Sequence, residues 1–411
     1  MHKEEHVIIT DYGYDGEGIG RISGKVVFVP YALKDEVVKV ALGKETSSFC
    51  KGELLSVERK SPLRCAAPCP YYTKCGGCRY QHTTYQNELN IKLELLKNQL
   101  VKVGYNGKIS VVAEDEYGYR NKIRLFVGAD GLALKQRNSN QLCYVDKCLI
   151  VQPEINEAIQ KINTFILAGQ HQHNYSEVVI RQEGNCLLVN FYRTNKTEIN
   201  YQGLYLILGT NFGIYETFKR NSEYRIGKKY LETQEFGLNC KFSPNSFHQV
   251  NDKIGQKLYK EVIENLKGAN ILNCYSGAGV LSGIIAKAGK RVVGVELGEA
   301  EHKDAENLKN ENDLFYLSNI RGDCSDVLPR LCERFETIVV DPPRGGIDEK
   351  VVNAINQFNF KRLIYVSCNS ATLVRDLGRL QGLSISKVVL FDMFARTGEY
   401  ETLVILDKKL K

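Results

Sequence analysis

Hydrophobic residues in the first part of the chain occur in short runs that predict β-strands. Apolar runs of three or four residues at 7–9, 26–29, 37–40 and 52–55 are separated by turns rich in glycine. Several short strands in so few residues are typical of a small closed barrel. Residues 1–58 are therefore predicted to form a β-barrel of the oligonucleotide-binding (OB) type.

The middle of the chain, residues 59–240, mixes helical and strand-like spacing. After a cysteine-rich loop at 59–83, apolar residues recur every three or four positions, which predicts a helix with one face in a core. A second helix is predicted near 152–167. These patterns predict an α+β central domain with strands at 122–127, 177–181 and 187–191 and a first helix that buries Leu89, Leu93, Leu96, Leu100 and Val103.

The pattern changes from residue 241 to the end of the chain at 411. Helical spacing now alternates with short and mostly apolar strands. Strands of this kind between helices predict a parallel sheet covered on both faces, as in a Rossmann-like α/β domain. The predicted strands are at 270–275, 291–296, 337–341 and 362–368. The expected protein is thus multidomain, with boundaries at 1–58, 59–240 and 241–411.

Composition narrows the class of protein. Of the 411 residues, 43% are hydrophobic and 25% are charged, as in ordinary globular proteins. No apolar run reaches about 18 residues, which argues against a membrane span, and the polar start lacks the apolar segment of a signal peptide. We therefore expect a cytoplasmic protein. In that reducing compartment, 13 cysteines indicate metal binding or thiol chemistry rather than disulfides.

Positive charge is concentrated in the middle of the chain. The net charge is +7, and residues 61–250 carry 23 basic against 16 acidic groups, whereas the two ends are close to neutral. A basic middle suits a surface that meets a polyanion. A solvated surface with a few extra lysines would produce the same count.

The first two strands of the last domain carry a nucleoside-binding pattern. The first runs into Tyr275-Ser-Gly277-Ala-Gly279, and the second ends in Glu296, 19 residues after Gly277, near the spacing of an acid that holds ribose hydroxyls. No complete G-x-G-x-x-G and no phosphate-binding lysine follow, which favours an adenosine ligand without phosphates, S-adenosylmethionine. Asp323, where the third strand should end, is a candidate to face the adenine.

The later strands end in residues suited to methylation of a pyrimidine carbon. The fourth ends in Asp341-Pro-Pro-Arg344, and Arg344 stands where amine-methylating enzymes have an aromatic residue. The next ends in Cys368, whose thiolate could add to carbon 6 of the ring and activate carbon 5. A base must then remove the carbon-5 proton. Glu401 and Glu399 are the candidates for that base.

Together these segments resemble the uracil-5 RNA methyltransferase family. Phe247-His-Gln-Val-Asn251 and Ser367-Cys-Asn369 belong to the same pattern. The resemblance implies Cys368 as nucleophile, Glu401 as base, and a methyl donor held by Gln249, Tyr275, Glu296 and Asp341. The sequence departs from the family pattern at Asn273, Val280, Ser370 and Glu399, none of which removes a catalytic group.

A group of cysteines in the 59–83 loop predicts a metal site. Cys69, Cys75 and Cys78 are closely spaced in a segment with glycine and proline. With Cys65 as the fourth ligand the set would suit zinc. With Cys148 it matches the [4Fe–4S] arrangement that the family resemblance implies, which we favour, in a structural role. Zinc is the lesser possibility.

The front of the chain is similar to the ribosomal-RNA branch of that family, which combines a TRAM-like barrel with a four-cysteine cluster. The resemblance implies methylation of a uridine in 23S rRNA. Nothing in the sequence demands more than a monomer or an obligate protein partner, so we expect a monomer. Three alternatives stay open. They are a transfer-RNA uridine enzyme, a cytosine-5 enzyme, and an RNA-binding protein on the same fold that has lost activity.

Overall fold

The computed structural model describes residues 3–409 and divides the chain into two compact units. The first unit contains the residues up to Asn106 together with Lys135–Cys143 and Phe394–Tyr400. The second contains Gly107–Leu134, Tyr144–Met393 and the residues from Glu401 onward. No helix in the described range is long and apolar enough to cross a membrane.

The first unit begins with a six-stranded sheet. Its strands are β1 (Glu4–Ile8), β2 (Asp11–Tyr12), β3 (Gly18–Ile22), β4 (Lys25–Val29), β5 (Val37–Glu45) and β6 (Phe49–Arg59). They run in the order β1-β5-β6-β4-β3-β2. Four of them, β1, β4, β5 and β6, overlap the predicted apolar runs, and β2 and β3 lie outside those runs. Valines and isoleucines from alternate positions of these strands fill its core, because successive side chains of a strand point to opposite faces.

A helix, α1 (Tyr85–Leu100), follows and continues into a 3-10 turn at Val101–Val103. Thr84 caps its N-terminus by accepting a hydrogen bond from the Asn87 backbone amide. The buried face is turned from the predicted stripe, because Leu89 and Leu93 are only half-buried. The fully buried positions instead include an ion pair, in which Lys92 Nζ lies 2.7 Å from Glu88 Oε1, beside Ile91, Leu95 and Leu96.

The second unit contains a mixed sheet built from the middle of the chain. After β7 (Ile109–Val112), the elements are β8 (Lys122–Gly128), β9 (Gly131–Lys135), β10 (Leu142–Tyr144), α2 (Pro153–Ala168), a 3-10 turn (Gln172–Asn174), β11 (Tyr175–Glu183), β12 (Cys186–Arg193), α3 (Gln202–Leu208), β13 (Phe212–Phe218) and β14 (Asn221–Gly227). From β9 to the edge strand β14, the strands run in the order β9-β8-β11-β12-β13-β14, and β12 and β13 are the parallel pair. The helix predicted near 152–167 is present as α2.

A two-stranded hairpin, β15 (Leu231–Glu235) and β16 (Leu238–Phe242), leads to a larger sheet in the same unit. The rest of the chain alternates strands with helices. These elements are α4 (Asp252–Glu264), β17 (Asn270–Cys274), α5 (Val280–Lys287), β18 (Arg291–Glu296), α6 (Glu299–Glu311), β19 (Leu317–Arg321), α7 (Cys324–Val327), a 3-10 turn (Leu328–Arg330), β20 (Thr337–Val340), α8 (Glu349–Gln357), β21 (Arg362–Ser367), α9 (Ser370–Leu377), β22 (Leu383–Phe391) and β23 (Glu401–Lys408).

The larger sheet has eight strands in the order β19-β18-β17-β20-β21-β23-β22-β7. The first five are parallel, and β23 runs antiparallel between β21 and β22. This is the predicted Rossmann-like arrangement. Because the parallel strands share a direction, their carboxyl ends meet at one edge, where open α/β sheets bind their ligands.

Candidate active site

A cavity of about 680 Å³ opens at the carboxyl edge of the eight-stranded sheet. Its walls come from the loops that follow the five parallel strands, from the start of β23, and from residues 247–249 and Tyr259 of the segment around α4. Although the predicted residues are scattered over about 150 positions of the sequence, the fold gathers them around this one space. All seven predicted catalytic and donor-binding residues line it, namely Gln249, Tyr275, Glu296, Asp323, Asp341, Cys368 and Glu401.

The turn after β17 shapes the floor of the cavity. Tyr275 and Gly277 both have left-handed backbones, with φ of 59° and 56°. A Cβ placed on Gly277 would meet no atom within 4 Å, so the glycine leaves open space beside the backbone. Gly279 begins α5 with φ of 80°, and a Cβ there would lie 2.7 Å from the Ala305 Cβ. Glycine is therefore needed at 279 for close packing and at 277 for access to the cavity.

The carboxylate of Glu296 is held in place at the end of β18. One oxygen accepts a hydrogen bond of 2.9 Å from the Gly277 amide, and the other accepts one of 2.7 Å from the Gly298 amide. Two backbone donors fix the orientation of the carboxylate while it lines the cavity. The hydrogen bond from Gly277 therefore links the turn after β17 directly to Glu296 at the end of β18.

Asp323 has a structural role as well as a place in the cavity wall. It caps the four-residue helix α7 by accepting a 2.8 Å hydrogen bond from the Ser325 amide. An aspartate is a favoured residue for this position whether or not a ligand is present. Its contact with an adenine stays a prediction.

The Asp341-Pro-Pro-Arg344 turn is tied to the loop that carries Cys368. The Arg344 carbonyl accepts hydrogen bonds from Asn369 Nδ2 at 3.3 Å and from Thr372 Oγ1 at 3.2 Å. Burial raises the pKa of the Asp341 carboxyl to about 7. The turn and the Cys368 loop are therefore joined by hydrogen bonds, and burial favours the protonated form of the Asp341 carboxyl.

Cys368 and Glu401 lie at neighbouring positions on adjacent antiparallel strands. Ser367 at the end of β21 pairs with Thr402 on β23, so the next residue on one strand and the preceding residue on the other are brought together. Cys368 is half-buried, and Glu401 is buried with 6% of its surface exposed. The strand register thus places an accessible thiol beside a shielded carboxyl group.

The helix α9 begins directly after the candidate nucleophile. Asn369 caps it by accepting hydrogen bonds from the backbone amides of Ala371 and Thr372. The second candidate base, Glu399, belongs to the first unit. Of the two acids, Glu401 lines the cavity, and Glu399 is not among the described residues that line it.

Gln249 is supported by a buried polar network that sequence reasoning missed. Asn121 Nδ2 donates to the Gln249 carbonyl at 3.0 Å, to Asp252 Oδ1 at 2.5 Å and to Glu183 Oε1 at 3.3 Å. Asn121 is 3% exposed and Gln249 is 5% exposed. No spacing in the sequence relates Asn121 to Gln249, because 128 residues separate them.

His248 belongs to the same network. Its Nε2 lies 3.0 Å from Glu235 Oε1, and its ring stacks on Phe242. Burial lowers the pKa of His248, but the hydrogen bond to Glu235 and the charge of Glu183 outweigh it, so the net shift is upward. Burial raises the pKa of Glu183 to about 8. The network thus fixes the segment that carries Gln249 through buried, charge-assisted hydrogen bonds.

The cysteines of the predicted metal site fall into different units. Cys69, Cys75 and Cys78 lie in the first unit and are half-buried, whereas Cys148 lies in the second. The Gly77 amide donates to Cys75 Sγ at 3.4 Å. A sulfur that accepts a backbone hydrogen bond suits a thiolate ligand, and the metal itself stays a prediction.

Comparison with family models matches two parts of the chain. Residues 330–409 match the tRNA (Uracil-5-)-methyltransferase model, and residues 3–55 match the TRAM domain. The first match includes the Asp341 turn, Cys368 and Glu401. The second confirms the prediction of a TRAM-like barrel at the front of the chain.

Named relatives match the chain over almost its whole length. An uncharacterized RNA methyltransferase of Clostridium acetobutylicum is 31% identical, and the match covers 99% of this chain and 97% of the relative. A 23S rRNA (uracil(1939)-C(5))-methyltransferase RlmD of Francisella tularensis subsp. novicida is also 31% identical, with 97% and 96% covered.

A solved structure has the same fold. The tRNA (uracil-54, C5)-methyltransferase of Pyrococcus abyssi, in complex with S-adenosyl-L-homocysteine, superposes with a TM-score of 0.83 at 24% identity. The match covers 98% of this chain and all of that one. It confirms the predicted methyltransferase fold of the C-terminal part.

Proposed function

The chain belongs to the uracil-5 RNA methyltransferase family, and on this premise we propose that it transfers a methyl group from S-adenosylmethionine to carbon 5 of a uridine in 23S rRNA. The observation that carries the proposal is that Cys368, Glu401 and Glu296 line the same cavity. A nucleophile, a base and a nucleoside-binding acid are what this reaction requires.

The donor half of the cavity fits an adenosine ligand. We assign the ribose hydroxyls to Glu296, whose carboxylate is already oriented by two amides. The open space at Gly277 lets a ligand approach the backbone closely. S-adenosylmethionine supplies a methyl group activated by a sulfonium. We assign its remaining contacts to Gln249, Tyr275, Asp323 and Asp341.

In the acceptor half, Cys368 does the covalent chemistry. Its thiolate forms a bond to carbon 6 of the uracil, which places the electron pair on carbon 5 as an enolate. Carbon 5 then takes the methyl group, and S-adenosylhomocysteine leaves. Glu401 removes the proton on carbon 5, the electron pair restores the double bond between carbons 5 and 6, and the thiolate is expelled.

The start of α9 favours the reactive form of the nucleophile. The N-terminus of a helix carries a partial positive charge, and Cys368 lies two residues before the first residue of α9. An anion at that position is stabilised. The hydrogen bonds from Asn369 and Thr372 to the Arg344 carbonyl hold this loop against the Pro-Pro turn, so the thiol is kept in a fixed position.

Recognition of RNA is the second part of the proposal. The TRAM match and the relatives named for 23S rRNA support ribosomal RNA as substrate. The target base must leave its stack to reach a half-buried thiol. Transfer RNA is the alternative substrate. The similarity to the Pyrococcus enzyme, at 24% identity, supports the fold and does not indicate which RNA is the substrate.

The direct test is transfer of tritium from labelled S-adenosylmethionine to RNA, with nucleoside mass mapping of RNA from cells that lack the protein. We expect one 5-methyluridine to disappear from 23S rRNA. Loss from transfer RNA instead would establish the alternative substrate. No transfer by well-folded protein would favour an RNA-binding role without catalysis.

We further propose a [4Fe–4S] cluster on Cys69, Cys75, Cys78 and Cys148, with a structural role. Protein purified without oxygen is expected to absorb at about 400 nm, as iron–sulfur proteins do. Replacing Cys75 by serine should remove this band, whereas replacing the exposed Cys332 should leave it unchanged. A colourless protein with one bound zinc would contradict the proposal.

Loss of the Glu296 carboxylate should weaken donor binding. Hydrogen bonds to a charged group contribute about 1.5–3 kcal/mol, so Glu296→Ala is expected to raise the Kd for S-adenosylhomocysteine by about 10- to 150-fold. Titration calorimetry measures this directly. Asp326→Ala is the control, because Asp326 is an exposed acid on α7 outside the cavity. If both variants bind S-adenosylhomocysteine with equal affinity, Glu296 does not contribute to donor binding.

A further inference from the structure

We propose that the hairpin formed by β13 and β14 is an RNA-binding finger, and that Lys219 and Arg220 at its tip contact phosphates of the RNA substrate. The inference rests on the proposed function and assigns to it a second RNA-binding surface. This surface is far in sequence from the candidate catalytic residues Cys368 and Glu401. The finger comprises β13 (Phe212–Phe218), the turn and β14 (Asn221–Gly227).

The backbone at the tip is unfavourable for the residues found there. The strands stay paired up to Phe218 and Asn221, so the turn consists of Lys219 and Arg220 alone. Both have left-handed backbones, with φ of 47° and 76°. Two-residue turns of this kind favour Asn-Gly, since a Cβ is disfavoured where φ is positive. Folding alone therefore does not account for two long cationic side chains at these positions, which points to a function.

Positive charges occur along the whole hairpin, from its tip to the residues that follow β14. Residues 217–230 contain five basic residues and one acidic residue. The ammonium groups of Lys219 and Lys196 lie 5.5 Å and 5.9 Å from the centre of the same Phe218 ring. Like charges gathered on one ring repel each other, and a bound anion would relieve that repulsion. Both lysines and Arg220 are exposed.

Exposed aromatic side chains farther along the hairpin lie beside another cation, which favours RNA over an acidic protein. Tyr224 and Tyr230 are 39% and 36% exposed, and Lys229 Nζ lies 5.2 Å from the centre of the Tyr224 ring. Exposed aromatic rings beside lysines and arginines are the usual means of stacking unpaired bases while the backbone is held by charge. The strand that carries Tyr224, β14, is also the outermost strand of its sheet.

Charged residues on an edge strand have a second known role, which is to prevent pairing with another chain. Arg225 fits that role, because it lies on β14 and pairs with Glu216 and Glu223. Lys219 and Arg220 lie beyond the last paired residues and block no strand. The two roles therefore predict different results when the tip alone is changed.

The test replaces the tip by the turn that the backbone prefers. Lys219→Asn with Arg220→Gly removes two charges while improving the turn, so we expect an equal or higher Tm. The Kd for an RNA fragment that contains the target uridine should rise about 10-fold or more at physiological salt. The slope of log K against log salt should fall by about 1.4 to 1.8, for two lost phosphate contacts.

Two control variants test whether the effect on RNA binding depends on the positive charge at the hairpin tip. Lys260→Asn with Arg334→Gly removes the same residue types from exposed positions elsewhere in the second unit and should leave the slope unchanged. Exchanging the two tip residues, by Lys219→Arg with Arg220→Lys, keeps the charge and should retain binding. The KM for RNA should follow the Kd, whereas kcat and donor affinity should stay at wild-type values.

The outcomes separate this inference from the proposed function. Binding is measured by fluorescence anisotropy and needs no catalysis, so wild-type protein that binds RNA without methylating it would contradict the function alone. An unchanged Kd for RNA and an unchanged salt slope in the Asn-Gly variant would contradict the proposal that the hairpin tip binds RNA. Aggregation of that variant with unchanged RNA affinity would do the same and assign the tip to edge protection.

Discussion

Replacing Cys368 by alanine should lower methyl transfer by more than about 10³-fold, because without the thiolate carbon 5 of uracil is too weak a nucleophile to take the methyl group. The half-buried thiol lines the cavity at the end of β21. Donor binding should survive, since Glu296 and the glycine turn are untouched. Single-turnover transfer of tritium to RNA measures the loss, and calorimetry measures the retained donor affinity.

Cys332→Ala is the matched control, because Cys332 is an exposed thiol outside the cavity. We expect it to methylate at the wild-type rate. A 5-fluorouridine at the target position should form a stable bond to the wild-type protein and none to the Cys368→Ala variant, because fluorine on carbon 5 cannot be removed as a proton. A Cys368→Ala protein that methylates at the normal rate would end the proposed mechanism.

Replacing Glu401 by glutamine should stop the reaction one step later. Glutamine has nearly the same shape but cannot accept the carbon-5 proton, so the first methyl transfer should still occur while release of the thiolate fails. Turnover is expected to fall by about 10²- to 10⁴-fold. The methylated RNA should remain bonded to Cys368 and appear as a slow-migrating band under denaturing conditions.

Glu399→Gln serves as the comparison for this experiment, since Glu399 was the other candidate base in the sequence and does not line the cavity. It should turn over normally and accumulate no adduct. If Glu399→Gln stalls and Glu401→Gln does not, the base has been assigned to the wrong carboxylate. The covalent role of Cys368 would stand in either case.

Both variants depend on the same feature of the fold. The pairing of Ser367 with Thr402 brings Cys368 and Glu401 together from positions 33 residues apart in sequence. The antiparallel strand β23, which lies between β21 and β22, thus sets Glu401 level with the residue that follows β21. Of the two nearby glutamates, Glu401 is the one that lines the cavity.

Much of this site could be predicted from the sequence, for a specific physical reason. In a parallel sheet the functional residues follow the strand ends, so locating the apolar strands also locates the candidate side chains. The strand ends at Glu296, Asp341 and Cys368 were each identified in this way, and all three line the cavity. Gly277 and Glu296, whose spacing in the sequence indicated a nucleoside site, are also in direct contact through a 2.9 Å hydrogen bond.

Helix α1 shows where the hydrophobic pattern misleads. The apolar stripe predicts that Leu89 and Leu93 are in the core, but both are half-buried. The buried face includes Glu88 and Lys92, which form an ion pair with neither side chain exposed. A charge is tolerated in a core when a partner and further hydrogen bonds compensate it, and hydropathy scores each residue without its partner.

The sequence by itself determined the strands that end at the site and the order of the chemistry along the chain, because both depend on local spacing. Its motifs carried the resemblance to the family. The tertiary structure decided which distant side chains meet. It placed Asn121 against Gln249, β7 beside β22, and Lys196 with Lys219 on one aromatic ring. These contacts join segments far apart in the chain, and their stability comes from burial and hydrogen bonding that exist only after folding.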